Sequence, residues 1–206
     1  MGRRTRGRTV DPRKRKSRYT VKAPSYIFDG RELYEIAASE PELLHDRIVE
    51  IPLAALKGSF EEIDNATNIM LQVKSVSGQY AFTEFRGLYL LPEILRSKVR
   101  RGASKIEAII TLNTADGVKV RINTVVITAH RCRRRVKESI RKLIFDYRKE
   151  RVPKLSFEEF TQLVLSPLPV DEISAQAHKI FPISEVILAK VKVLSDPTER
   201  TPLAKE

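Results

Sequence analysis

The stretch that most constrains the fold is residues 97–150, SKVRRGASKIEAIITLNTADGVKVRINTVVITAHRCRRRVKESIRKLIFDYRKE. It reads as a basic loop, a β-hairpin and then a strongly basic amphipathic helix. Asp116-Gly117 is the dipeptide of a type I′ turn, and it lies between two apolar-rich runs. Before it, Ile106, Ala108, Ile110 and Leu112 recur at every second position; after it, Val118, Val120 and Ile122 alternate with Lys119, Arg121 and Asn123. Strand side chains point alternately to opposite faces, so one face is buried and the other carries cations. From about Ala129 the period becomes helical. Val136, Ile140, Leu143, Ile144 and Tyr147 form a core stripe, with Arg133, Arg134, Lys137, Arg141 and Arg148 largely off it. The pattern predicts a packed scaffold that holds up a cationic surface.

The flanking segments supply the remaining elements. A short strand is expected at Leu33–Ile36, a helical turn after Pro41, and a strand at Val49–Leu53 in which Pro52 suggests an edge or a bulge. Residues 59–68 read as a loop. A second hairpin follows, with Ile69, Leu71 and Val73 before the Ser77-Gly78 turn, and Tyr80 and Phe82 on a return strand ending at Gly87. Pro92 suits the first turn of a helix running to about Arg100. Pro153 ends the long helix, Ser156-x-x-Glu159 is a capping box for a short one, and a further helix spans about 170–180. Ile187, Ala189, Val191 and Val193 mark a last strand against Leu188, Lys190 and Lys192. The expected class is α+β: a mainly antiparallel, barrel-like sheet of about six to seven strands, flanked by about three to four helices. The expected organisation is a basic arm over 1–24, one α+β domain over 25–194 and a polar tail over 195–206.

Charge narrows the function. Of the net +12, residues 1–24 carry +9, from ten Lys/Arg against Asp11, which leaves +3 for the other 182 residues. So few apolar side chains cannot offset the entropy of ordering, and the arm is expected to be disordered when free. Such asymmetry points to a polyanionic partner, nucleic acid before an anionic membrane. The candidate RNA-binding residues fall in groups. In the arm they are Arg3, Arg4, Arg6, Arg8, Arg13, Lys14, Arg15, Lys16 and Arg18. Before and within the hairpin they are Lys98, Arg100, Arg101, Lys105, Lys119 and Arg121. After it come Arg131, Arg133, Arg134, Arg135, Lys137 and Arg141. Arg131 to Arg135 place four arginines in five positions with no acid among them, a mutual repulsion that an anion relieves. Aromatics near these groups are sparse and no RNA-recognition-motif signature occurs, which favours phosphate and shape contacts over base stacking.

Other chemistry finds little footing. One cysteine, Cys132, excludes an intramolecular disulfide and a cysteine-rich zinc site, and suits an intracellular protein. His45, His130 and His178 lack metal-ligand spacing, so neither a metal nor a cofactor is expected. No phosphate-binding glycine loop, catalytic arrangement, secretory signal or 18-residue apolar run is present. A catalytic site is not expected, nor is a membrane partner.

Several blocks carry a resemblance. SKVRRGASKIEAIITLNTADGVKVRI (97–122), the basic helix ending IRKLIFDYRKE, DRIVEIPLAAL (46–56), YAFTEFRG (80–87) and LSFEEF (155–160) occur in the order seen in one family. The chain resembles the small-subunit ribosomal protein family of archaea and eukaryotes called S-three-a, or S-one-e, over about 25–194. The resemblance implies a structural constituent of the small subunit, cytoplasmic, monomeric within the ribosome and active in translation. It implies a β-barrel-like core on the platform side near the messenger exit. Its partners would be small-subunit ribosomal RNA, neighbouring platform proteins and messenger RNA. Eukaryotic members run on at the C-terminus, whereas this sequence stops soon after Leu194, so an archaeal-type member is expected. The alternative is a free nucleic-acid-binding or chromatin-associated module.

Overall fold

The computed structural model describes residues 16–58 and 62–195. These divide into two compact units: residues up to 48 with 72–84, and residues 49–71 with 85 onward. Strands β4 (Thr67–Ser77) and β5 (Tyr80–Leu90) run through both.

The first unit is built on β1 (Ser17–Lys22), which pairs antiparallel with β2 (Glu32–Ala38) and parallel with the start of β5, Thr20 opposite Tyr80. Between β1 and β2, the turn α1 (Ser25–Phe28) closes on Asp29 and Gly30, both in the left-handed region. Alternation decides the inner side: Tyr19, Val21, Ile36 and Ala38 are buried. The expected arm therefore ends sooner than residue 24, because Tyr19 and Val21 provide the period-2 apolar face that a strand needs. A 3-10 turn, Pro41–Leu44, follows β2.

In the second unit, β3 (Ile48–Pro52) leads into α2 (Leu53–Lys57), and α3 (Glu62–Ala66) occupies much of the expected loop over 59–68. The return strand does not stop at Gly87. Gly87 is internal to β5 because a Cβ there would sit 2.4 Å from the Val191 carbonyl oxygen, so glycine alone lets β5 approach its neighbour. That neighbour is β8 (Ile183–Val193), which pairs with β7 (Lys119–Thr128), and β7 pairs with β6 (Lys105–Asn113), all antiparallel. On one face of these strands Ile106, Ala108, Val126 and Val186 pack against Ile140, Ile144 and Tyr147 of α5 (Arg134–Arg151) and Ile173 and Ala177 of α7 (Leu168–His178). On the other, Val125, Ile127 and Ile187 pack against Ile94 and Leu95 of α4 (Pro92–Lys98).

The hairpin differs from the expected type I′ turn. Its loop has three residues, Ala115 to Gly117, closed by Thr114 N–H to the Val118 carbonyl at 3.0 Å and Gly117 N–H to the Thr114 carbonyl at 3.0 Å. Gly117 takes φ 78°, and Asp116 does not take a positive φ, so the loop is a type I turn ended by a left-handed glycine. Asp116 is used elsewhere. Its carboxylate accepts from the Phe157 N–H at 2.6 Å, and Ala115 N–H reaches the Leu155 carbonyl at 2.9 Å. The hairpin tip thus caps α6 (Phe157–Leu165), beside the capping box of Ser156 and Glu159. A 3-10 turn, Val152–Lys154, connects α5 to this corner.

Among the described residues the chain is α+β, with one sheet of eight strands and seven α-helices, three of them only four or five residues long. The barrel-like closure is not found. The order β2-β1-β5-β8-β7-β6 is open, because β5 gives one end to β1 and the other to β8 instead of completing a ring.

Candidate nucleic-acid interface

Two basic loops meet at one end of the β6–β7 hairpin. The first runs from Lys98, the end of α4, through Arg100, Arg101 and Gly102 to Ser104; the second runs from Ala129 to Arg133. Thr128 and Ser104, both buried, knit them together. Ser104 N–H donates to Thr128 Oγ1 at 2.9 Å, Thr128 N–H to the Ser104 carbonyl at 3.1 Å, and Cys132 N–H to Ser104 Oγ at 3.2 Å. The Ala129 N–H reaches the Pro182 carbonyl at 3.0 Å. Bonds that satisfy buried polar groups in this way fix both loops without using a single cationic side chain. Arg100, Arg101, Arg131 and Arg133 are consequently exposed.

Helix α5 begins at Arg134, later than the expected Ala129, because the Thr128, Ala129 and Cys132 N–H groups and the His130 carbonyl are engaged outside the helix. Its N-cap, Arg133, makes no side-chain cap, and the first turn has no acid. The positive end of the helix dipole therefore lies beside Arg131, Arg133, Arg134 and Arg135, against the usual preference for carboxylates there. Arg134 makes an i,i+4 pair with Glu138 at 2.8 Å, its side chain 92% exposed. Unmet amides and arginines together form the arrangement that binds phosphate.

Several other candidates are engaged structurally. Lys98 reaches Glu185 at 2.8 Å, Lys105 reaches Glu107 at 2.5 Å, and Arg141 Nε donates to the Glu107 carbonyl at 3.0 Å. Lys137 is half-buried. Lys119 and Arg121 are exposed but belong to another place. Thr111, opposite Arg121, is six residue steps from Lys105 along β6, and Asn113, opposite Lys119, is eight, which at about 3.4 Å per step puts them roughly 20 to 27 Å from the loop pair. Lys190 and Lys192, absent from the candidate set, stand beside them on β8. Their alternation is visible in the sequence; that β8 lies next to β7 is not. Among the arm candidates, Lys16 and Arg18 are exposed, and Arg18 pairs with Glu35 at 3.3 Å. Arg3, Arg4, Arg6, Arg8, Arg13, Lys14 and Arg15 lie outside the described residues.

Arg148 corrects the reading of the helix. The sequence pattern sets it off the apolar stripe, yet it is 1% exposed, with Nε and Nη2 buried and without hydrogen-bond partners. The reason is geometric: Ile140, Ile144 and Arg148 are spaced four apart and share one face. Burial pulls its guanidinium well below its ordinary value, to about 10, with nearby Arg151 adding to the shift and Tyr147 opposing it. Tyr147 donates to Glu172 at 2.7 Å; burial, then this bond, push the phenol up to about 12. Arg151 also pairs with Glu172 at 2.6 Å, and the Tyr147 bond leads in holding that carboxyl below its usual value.

Residues 4–197 match the model of the Ribosomal S3Ae family. The chain belongs to that family. It is 34% identical over 192 residues to the small ribosomal subunit protein eS1 of Desulfurococcus amylolyticus, covering 93% of this chain and 89% of the relative. The protein of the same name from Archaeoglobus fulgidus is 36% identical over 182 residues, covering 88% and 85%. That from Methanothermobacter thermautotrophicus is 30% identical over 197 residues, covering 96% and all of the relative. These relatives are archaeal, and the S3Ae family is one of ribosomal proteins, not of enzymes. No helix among the described residues is long and apolar enough to cross a membrane.

Proposed function

We propose that this protein is a structural constituent of the small ribosomal subunit in an archaeal-type, cytoplasmic ribosome. It binds ribosomal RNA through the paired loops Arg100–Ser104 and Ala129–Arg133 and the start of α5. The observation that carries this reading is the cluster of exposed arginines at an uncapped helix N-terminus, on loops pinned by Ser104 and Thr128. Such a surface reads phosphates and RNA shape, without a base code. Support for the ribosome in particular comes from the S3Ae family match over 4–197 and from relatives named small ribosomal subunit proteins. The platform position near the messenger exit, with neighbouring proteins there, rests on the family resemblance.

The test is the quadruple variant Arg131→Gln, Arg133→Gln, Arg134→Gln, Arg135→Gln in the full chain, titrated against small-subunit RNA across a salt series. Each lost phosphate contact removes about 0.7 to 0.9 from the slope of log affinity against log salt, so engagement of three or four arginines lowers the slope by about 2 to 4. An unchanged slope with an intact fold overturns the assignment.

A further inference from the structure

The exposed face of the sheet near the hairpin turn carries four cations in one block. Strand alternation puts Lys119 and Arg121 outward on β7, and Lys190 and Lys192 outward on β8. In the register, Arg121 stands directly opposite Lys192, and Asn123 opposite Lys190. Like charges directly across a pair of strands are destabilising, and a sequence under no other demand places an acid at one of them. Here none is supplied. Thr111, beside Arg121 on β6, takes a hydrogen bond from Arg121 Nε at 3.3 Å and leaves its charge uncompensated. On the far side Lys192 faces Gly87, which has no side chain, and Lys190 faces Tyr89, whose hydroxyl is bound to Glu50 at 2.6 Å. Among the described residues none of the four cations makes an ion pair, whereas Lys98, Lys105 and Arg134 do.

The block is also separate from the loop pair. Counted along β6 from Lys105 at about 3.4 Å per step, Lys190 stands level with Ile109, roughly 14 Å away, and Lys119 stands level with Asn113, roughly 27 Å away. Lys105 at the near end is bound to Glu107, and the exposed Ile109 follows. Two cationic surfaces are thus carried by one hairpin, the loop pair at its open end and the block from its middle to its turn. Side chains on alternate residues stand about 7 Å apart along each strand, and neighbouring strands are about 5 Å apart, so the block presents a closely spaced grid of positive charge. The occupant that fits is the sugar–phosphate backbone of RNA, whose repeating negative charge matches a repeating positive one.

We propose that Lys119, Arg121, Lys190 and Lys192 form a second RNA-backbone site, and that the protein bridges two RNA segments through the two surfaces of the hairpin. This rests on the reading of the loop pair as the first site. The test uses the full chain. A short biotinylated RNA duplex is immobilised and saturated with protein, and a second, fluorescent duplex is then offered. The wild type is expected to capture the second duplex. The variant Lys119→Gln, Arg121→Gln, Lys190→Gln, Lys192→Gln is expected to keep the first and to lose capture of the second by about tenfold or more, its salt slope falling by about 3 to 4. Because like charges are removed, its melting temperature is expected to equal or exceed that of the wild type; the milder Lys190→Gln, Lys192→Gln pair provides the same comparison if the quadruple variant fails to fold.

Capture by the sheet-face variant equal to the wild type overturns the proposal. So does loss of binding to phosphatidylserine vesicles with RNA capture unchanged, which assigns the face to a membrane. If the loop variant keeps full affinity while the sheet-face variant loses it, the loop assignment and with it the bridge are overturned, and the sheet face alone is the RNA site.

Discussion

Replacing Arg148 with methionine is expected to make the protein more stable. The side chain is 1% exposed, and Nε and Nη2 have no hydrogen-bond partners. Its nearest ring, Tyr147, has its centroid 5.9 Å from the guanidinium carbon, too far to repay much of the lost hydration. A folded-state value of about 10, between two and three units below the ordinary guanidinium, means that the unfolded chain holds this proton more tightly, so the charge costs stability at every pH below about 10. At 1.36 kcal/mol per unit, the cost is about 3 kcal/mol. Methionine of similar length fills the space and leaves no donor to satisfy, and exchanges of this kind gain about 1–4 kcal/mol. For a chain of this size, about 3 kcal/mol raises the melting temperature by roughly 6–12 °C. Alkaline titration is a poorer assay, because Tyr147 titrates in the same range with the opposite sign. Urea unfolding of wild type and Arg148→Met at pH 7 is the direct comparison. A variant less stable than the wild type by 1 kcal/mol or more refutes the reasoning, and shows that Arg148 has a partner that burial alone does not reveal.

Three further outcomes follow from the packing. Asp116→Ala removes the carboxylate that holds the Phe157 N–H at 2.6 Å and should cost about 1 kcal/mol by urea unfolding, with the hairpin retained. Gly87→Ala drives a Cβ to within 2.4 Å of the Val191 carbonyl and should cost about 1–3 kcal/mol or prevent folding, as read by thermal melting. Glu172, whose carboxyl is held below its usual value, contributes stability that is fully present above the unfolded value and is lost as pH falls through the folded one; Glu172→Gln should flatten acid unfolding in that window.

The α+β class and most strands were legible, because period-2 alternation and turn residues depend only on neighbours in sequence. The hairpin, the Ser156 capping box and the apolar stripe of α5 all belong to this group. What was not legible depends on partners distant in sequence. Asp116 was explained by its turn, since nothing local shows that Phe157 arrives to be capped. Tyr19 and Val21 were hidden inside a basic arm whose charge outweighed their alternation. Arg148 shares the buried face with Ile144, four residues earlier, but its guanidinium argues for exposure, since such a group is seldom buried unpaired.

The candidate site divides along the same line. The arginine cluster at 131–135 was visible as composition, and the structure adds what composition lacks, the Ser104–Thr128 link that brings Arg100 and Arg101 beside it. The pairing of Lys119 and Arg121 with Lys190 and Lys192 required the strand order.

The most direct measurement of the central claim uses Cys132, the sole cysteine of the chain, which lies between Arg131 and Arg133 on the loop assigned to RNA. A hydroxyl-radical probe tethered to Cys132, in protein assembled into small ribosomal subunits, cleaves whatever RNA lies against that loop. The expected result is strong cleavage confined to a few neighbouring segments of small-subunit RNA, abolished when the protein is left out of assembly. Assembled subunits that carry the tethered protein and show no RNA cleavage would contradict the account.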